Sequence, residues 1–490
     1  MVAKYKYIQD TVHGRIQIPS DFFKYIINTL EFQRLRRIEQ TSIRAIFPAA
    51  RHDRFIHSLG VFDYGCKIIN HLEENSEFIR DYKEKSKSIY SSIIASYKVA
   101  CLLHDVGHAP FSHSFEEYYG SKSSLFNTLT SHLRITPDSY FNPDDPAHHE
   151  YASAILAVSY FKDKLKKLDA NPELVARMII GWTYNDPSHE LENCYISLLN
   201  GGIVDADRLD YANRDVWASG YSTASIDVDR LIGGMDIKRD SSKILRVCFS
   251  NKVLNEIESL VCIKDFQVKA IFNHHSVVYD QYLLTHAAEN MAQGYYPSKS
   301  GVVALSEIIN IKTLTGHVQI NKSISVSHIA DEDLLFLMKN QSGNLLYQEW
   351  ASRQYTHFAL WKSIEEYNLF FNNIQITSQD KLFEVIKQPL LKEGYEGKDI
   401  IIKKIKIKPK TSLNNLCLSI GGEVITHKEL MDSEPQEKDT HKDCEEKAKE
   451  TQTEFFYIFL KKNKAEDGVA ETRWQIMRNL VPYIKKGFPI

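Results

Sequence analysis

Apolar residues recur at helical spacing over most of the chain. Val61, Gly65, Ile68 and Leu72 fall on one face of a predicted helix. Residues 89–103 form an apolar helix that runs into CLLHDVGHAPFSHSFEE, Cys101–Glu117, and another apolar helix opens at Tyr151. Phe32, Leu35 and Ile38 share one buried face, which leaves Gln33, Arg34, Arg36 and Arg37 largely outside it. Residues 252–292 are again helical. Strand patterns are fewer. Ile8, Val12, Ile16 and Ile18, with Gly14 among them, predict a small N-terminal hairpin. Ile400–Lys408 partly alternates Ile with Lys, LCLSIGGEVITH reads as a hairpin, and Phe455–Leu460 and Trp474–Ile484 read as a last strand and a last helix. Residues 120–148, rich in Ser, Asn, Asp and Pro, read as an irregular loop placed to act as a lid. Residues 432–453 are charged, almost free of large apolar side chains, and expected to be mobile.

These elements predict a mainly α protein with a helical core and a smaller α+β C-terminal lobe. The expected units are 1–50 (hairpin and basic helix), 51–295 (core), 296–380 (helical extension) and 381–490 (C-terminal lobe). A chain of 490 residues exceeds one ordinary core. A net charge of −3 gives no global argument for a nucleic-acid or membrane partner. No apolar run reaches membrane-spanning length, and MVAKYKYIQD lacks an apolar signal core. The seven cysteines are odd in number, scattered and without a C-x-x-C pair, which points to free thiols in a reducing, cytoplasmic setting.

Candidate chemistry concentrates in Cys101–Glu117. If that helix continues, His104 and His108 lie one turn apart on one face until Pro110 breaks it, and His113 and Glu116 share the face of the next. Imidazoles and carboxylates under apolar cover are costly to bury unless a metal or hydrogen bonds satisfy them. His57 precedes the helix of Val61. His148, His149 and Glu150 stand at another helix start. In GGIVDADRLDYANRD, Asp207, Tyr211 and Asp215 share a face, and Asp210 with Arg214 reads as an ordinary i,i+4 ion pair.

RFIHSLGV, LLHDVGHAPFSH and DADRLDYANRD, with DTVHGRI and FQRLRRIEQ before them, closely resemble the motifs of the HD-domain metal-dependent phosphohydrolases. More narrowly, they resemble the HD-domain deoxynucleoside triphosphate (dNTP) triphosphohydrolases. The likeness covers about residues 5–290, and no separate sterile alpha motif is visible. It implies a helical HD core with a divalent ion on His57, His104, Asp105 and Asp207. Two imidazoles and two carboxylates suit Mn, Fe, Zn or Mg without selecting among them. It further implies His113, held by Glu116, as general acid, with His108 and His149 on the α-phosphate. Arg54 and Arg208 would meet the phosphates, Tyr211, Asp215 and Gln40 the sugar, and Phe272 and His274 the base side. Family members bind activating nucleotides between subunits of a homo-oligomer (dimer, tetramer or hexamer). Lys6, Gln9, Asn28, Gln33 and Arg36 fall on those positions, but Asn28 replaces an Asp that reads guanine.

Two further readings stay open. Changed residues near sugar and base, Thr41 and Phe272 among them, fit an HD phosphohydrolase of nucleoside monophosphates, cyclic nucleotides or modified nucleotides. The Lys-rich strand at 403–410 fits a nucleotide-sensing or nucleic-acid-binding protein, although lysines on an edge strand commonly only prevent aggregation. Nucleotide balance and antiviral defence are both compatible roles.

Overall fold

The computed structural model describes residues 4–136, 141–221, 226–371, 374, 376, 378–407, 411–433, 454–462 and 469–488. It is mainly α, with small sheets. Tyr5–Asp10 (β1) and Gly14–Pro19 (β2) form the expected antiparallel hairpin, with Asp10 opposite Gly14. The principal helices of the N-terminal half are Arg54–Asn75, Lys87–Leu103, His148–Val158, Pro172–Ile180, Glu190–Leu199 and Ala206–Ser219. They pack with the hairpin around one apolar core whose residues run from Ile16 to Met338 and include Leu416 and Leu418.

Met235–Arg239 (β3) and Leu245–Ser250 (β4) pair antiparallel. Cys417–Ile420 (β9) joins β4 in parallel, and Glu423–Thr426 (β10) completes the order β10-β9-β4-β3. The LCLSIGGEVITH hairpin therefore folds onto the first core, where Leu416 and Leu418 are buried. His317–Gln319 (β5) and Ser325–Ser327 (β6) make a short hairpin. In the sheet β7-β11-β8, His357–Ala359 (β7) and Ile400–Lys406 (β8) flank Glu454–Lys461 (β11). Helices Gln379–Lys392 and Val469–Gly487 cover a second core with that sheet. The isoleucines of β8 at 400, 402 and 405 face this core, and Lys404 and Lys406 face solvent.

Several local expectations change. Residues 122–133 form a helix within the stretch read as a loop: Ser121 caps it by accepting from Ser124 N at 3.2 Å, and Leu125, Phe126 and Leu129 share a buried face. Cap and apolar stripe together outweigh the polar composition. Arg34 is wholly buried, not outside; its guanidinium donates to the carbonyls of Val106, His108 and Ile329. Residues 432 and 433 end the helix His427–Ser433, and the rest of the segment expected to be mobile lies outside the described residues. Among the described residues, no helix is long and apolar enough to cross a membrane.

Candidate metal centre and adjoining acid–base cluster

Three elements deliver the first cluster. Asp53 caps the Arg54–Asn75 helix by accepting from Ile56 N at 3.0 Å, so His57 stands in its first turn, not before it. The Lys87–Leu103 helix ends at Leu103, and His104, which follows it, donates Nδ1–H to Cys101 O at 2.9 Å. His104 and His108 consequently share no helix face, and Asp105 sits in the turn between them. Asp205 caps the Ala206–Ser219 helix and accepts from Arg208 N at 2.8 Å, which sets Asp207 in its first turn.

The ring nitrogens and carboxylates converge. His57 Nε2 and His104 Nε2 are 3.2 Å apart. Asp207 Oδ1 lies 3.0 Å from the first and 3.5 Å from the second; Asp105 Oδ2 lies 3.5 Å from each. His57 Nδ1 donates to Asp210 at 2.7 Å. With both Nδ1 protons committed to Asp210 and Cys101, the two Nε2 atoms face each other and two carboxylates. Burial opposes a charge on His57, but Asp207 and Asp210 lift its pKa to about 10. Asp105 is held well below the carboxylate range against the same burial by Arg54 and the neighbouring histidines. Four converging N and O donors in a negatively biased pocket fit a divalent cation, whose charge would resolve these contacts.

The second cluster shares a wall with the first. His108 Nε2 lies 3.0 Å from Asp105 Oδ1, and its Nδ1 is 2.7 Å from Glu116 Oε1. Glu116 also meets His113 Nδ1 at 3.2 Å and His149 Nδ1 at 3.0 Å. The His108 and His149 rings stack at 3.9 Å. Phe111 and Ser112 both have φ of 52°, a left-handed pair that reverses the chain and leaves the His113 side chain 67% exposed. Asp331 holds this reversal by accepting from Phe111 N at 2.6 Å and from Glu39 N at 2.9 Å.

The stacked rings titrate apart. Burial and the Arg54 charge push His108 down to about 3. His149 loses to burial but gains more from Glu116, and rises to about 9. One ring is thus neutral and its neighbour cationic at pH 7. A folded pKa above the usual 6.5 contributes stability that is complete below pH 6.5 and lost as pH rises through 9. The metal-free protein is expected to lose about 3 kcal/mol from this source over that range. Thermal melts of wild type and His149→Gln between pH 6 and 10 check it: the variant's profile flattens.

The other residues singled out from sequence fall into several groups. Arg54 is fully engaged, with Asp105 Oδ2 at 2.8 Å, Gln40 O at 2.9 Å and Ser112 Oγ at 3.0 Å. Gln40 is buried beside it, and Thr41 follows, also buried. Arg208 reaches the Tyr211 hydroxyl at 3.2 Å and Ile203 O at 2.9 Å. Asp215 is held by His52 Nε2 at 2.7 Å. Phe272 is partly buried and packs against a separate apolar cluster of Ile43, Ala50, Ala218, Ile271 and Val277. His274 caps the His275–Tyr295 helix and accepts from Ser276 N at 3.2 Å. On the outer surface, Lys6 lies over the Phe23 ring, Arg36 binds Gln33 and covers Phe55, and Gln9 and Asn28 are exposed.

A cavity of about 530 Å³ opens directly on His104 and Asp207 and is lined also by His149, Asn200 and Arg208, by residues of the 141–147 loop, and by the end of the Pro172–Ile180 helix with the residues that follow it. Sequence reading gave no role to His13, Asp10, His52 or Asp331. The only signal for the first two was their place in DTVHGRI.

Residues 54–212 match the HD domain family, and the converging His57, His104 and Asp105 could hold a metal ion. The chain is similar to proteins named SAMHD1 deoxynucleoside triphosphate triphosphohydrolases. The Dictyostelium discoideum deoxynucleoside triphosphate triphosphohydrolase SAMHD1 homolog is 28% identical over 274 residues, 55% of this chain and 46% of that protein. The uncharacterized protein MG461 of Mycoplasma genitalium is 29% identical over 251 residues, 51% of each chain. The match therefore spans about half the length of these relatives. A crystal structure of a hypothetical protein from Aquifex aeolicus shares the fold, with a TM-score of 0.60 and 17% identity over 96% of this chain and all of that one.

Proposed function

We propose that the protein hydrolyses dNTPs at the α-phosphorus, releasing the deoxynucleoside and intact triphosphate. The observation that carries this reading is the contact between the two clusters: His108 Nε2 stands 3.0 Å from Asp105 Oδ1, so a cation site and a proton-handling site share one wall. Proteins named deoxynucleoside triphosphate triphosphohydrolases are among its relatives. His57, His104, Asp105 and Asp207 would hold the divalent ion. When bound, it supplies Lewis-acid polarisation of the phosphoryl group.

The chain's own residues do the rest. Arg54 fixes Asp105 and thereby one edge of the donor set. His149, cationic at neutral pH, faces the anionic phosphate. His108 stays neutral, adds no charge, and links Asp105 of the cation site to Glu116 of the proton-handling site. His113, oriented by Glu116 and open to solvent, gives its proton to the departing 5′ oxygen. Asp215, fixed by His52, and Tyr211 hold the sugar, and the apolar cluster around Phe272 provides a wall for the base. The exposed Lys6, Gln9 and Arg36, with the half-buried Gln33, would take an effector nucleotide, with Asn28 disfavouring guanine.

Incubating the Mn-loaded protein with each dNTP in ¹⁸O-water, followed by ³¹P NMR and mass spectrometry, tests the reaction. The expected products are deoxynucleoside and triphosphate, with the label in triphosphate. Monophosphate with pyrophosphate, or hydrolysis of monophosphates alone, overturns it.

A further inference from the structure

We propose that the N-terminal hairpin completes the metal site: His13 and Asp10 are positioning residues that act through Asp210 and Arg214 to hold His57 Nε2 in its ligand position. This rests on the reading of His57 as a metal ligand.

The contacts form one chain. His57 Nδ1 donates to Asp210 Oδ2 at 2.7 Å. The other oxygen of Asp210 accepts from His13 Nε2 at 2.7 Å, and the opposite nitrogen of His13 donates to Asp63 at 3.0 Å. Arg214 grips both oxygens of Asp210, at 2.8 and 2.9 Å, and donates to both oxygens of Asp10 at 2.9 and 3.2 Å. Asp10 in turn accepts from the backbone N–H groups of Val12 and His13, at 3.0 and 2.8 Å, so it shapes the hairpin turn that carries His13.

Burial and shape argue against a solvated ion pair. His13, Asp10, Asp210 and Arg214 side chains are at most 1% exposed. Ion pairs so buried are weak stabilisers compared with apolar packing, so stability alone does not account for three of them around one imidazole. The Arg54–Asn75 helix also makes room for the network. A Cβ on Gly60 would stand 1.9 Å from Asp210 Oδ1 and 2.6 Å from Arg214 Nη2. A helical glycine costs about 1 kcal/mol relative to alanine. Here it lets Asp210 reach His57 one turn earlier on the same helix. A metal-bound imidazole is oriented by the acceptor on its other nitrogen, and loss of such a partner costs roughly 10–100-fold in metal affinity.

Two variants separate positioning from packing. His13→Gln places an amide near the lost Nε2 and keeps a donor to Asp210; His13→Asn places it near Nδ1 and keeps only the Asp63 contact. Both lose the ring and its 4.3 Å contact with Tyr64. Mn affinity is measured by calorimetry on chelator-stripped full-length protein, alongside apo melting temperature. The expected result is similar apo melting for both, with Mn binding weakened about 10-fold in His13→Asn and about 3-fold or less in His13→Gln. Equal affinity in the two variants, or wild-type affinity in His13→Asn, overturns the proposal. If neither folds, Asp63→Ala decides at the partly exposed end of the chain: weakened Mn binding supports the proposal and unchanged binding overturns it. A wild type that binds no divalent ion instead refutes the metal reading.

Discussion

Replacing His104 and Asp105 together by alanine is expected to remove bound metal and to lower dNTP turnover by at least about 10³-fold, equivalent to ~4 kcal/mol of transition-state stabilisation. The pair supplies two of four converging donors, and a divalent ion left with His57 and Asp207 alone loses its closed set. The fold is expected to survive, because the substitution also relieves converging ring nitrogens and a buried carboxylate. Its cost is local: His104 Nδ1 caps Cys101 O, and Asp105 anchors Arg54. Metal analysis of the purified variant, a melt and a dNTP assay together check the outcome. Retained turnover without metal would place the chemistry elsewhere in the pocket.

The same substitution shows which parts of the site were legible in sequence. LLHDVGH announces its ligands because a carboxylate and imidazoles crowd an apolar helix end, and burial makes such crowding improbable without a purpose. The hairpin, the β9–β10 hairpin and the last strand and helix also follow from local periodicity. Partnerships across long separations do not. Asp210 and Arg214 satisfy the i,i+4 rule and look like a surface pair; only the fold brings Asp10 and His13 onto them from some two hundred residues away. Arg34 presents the same difficulty, since a lone arginine beside two exposed ones carries no mark of the three carbonyls it will satisfy. The 122–133 helix was hidden because Ser and Thr suppress the helical signal that its cap and buried face restore.

His113→Ala is expected to lower dNTP turnover by about 10²–10⁴-fold while leaving metal content and melting temperature unchanged. The side chain is 67% exposed and contributes one of several contacts to Glu116, so its removal opens no cavity in the core. A general acid matters in proportion to the basicity of the leaving oxygen. The 5′ alkoxide of a deoxynucleoside is a poor leaving group without a proton, whereas p-nitrophenolate leaves readily. The His113→Ala defect is therefore expected to shrink to about 10-fold or less on p-nitrophenyl triphosphate. Glu116→Gln separates orientation from proton transfer: it keeps the shape but removes the charge that holds His149 up at about 9, so its alkaline limb should move toward neutral pH. An equal loss for His113→Ala on both substrates would assign the residue to phosphate binding. Leaving-group protonation would then fall to solvent entering beside the exposed 113 position.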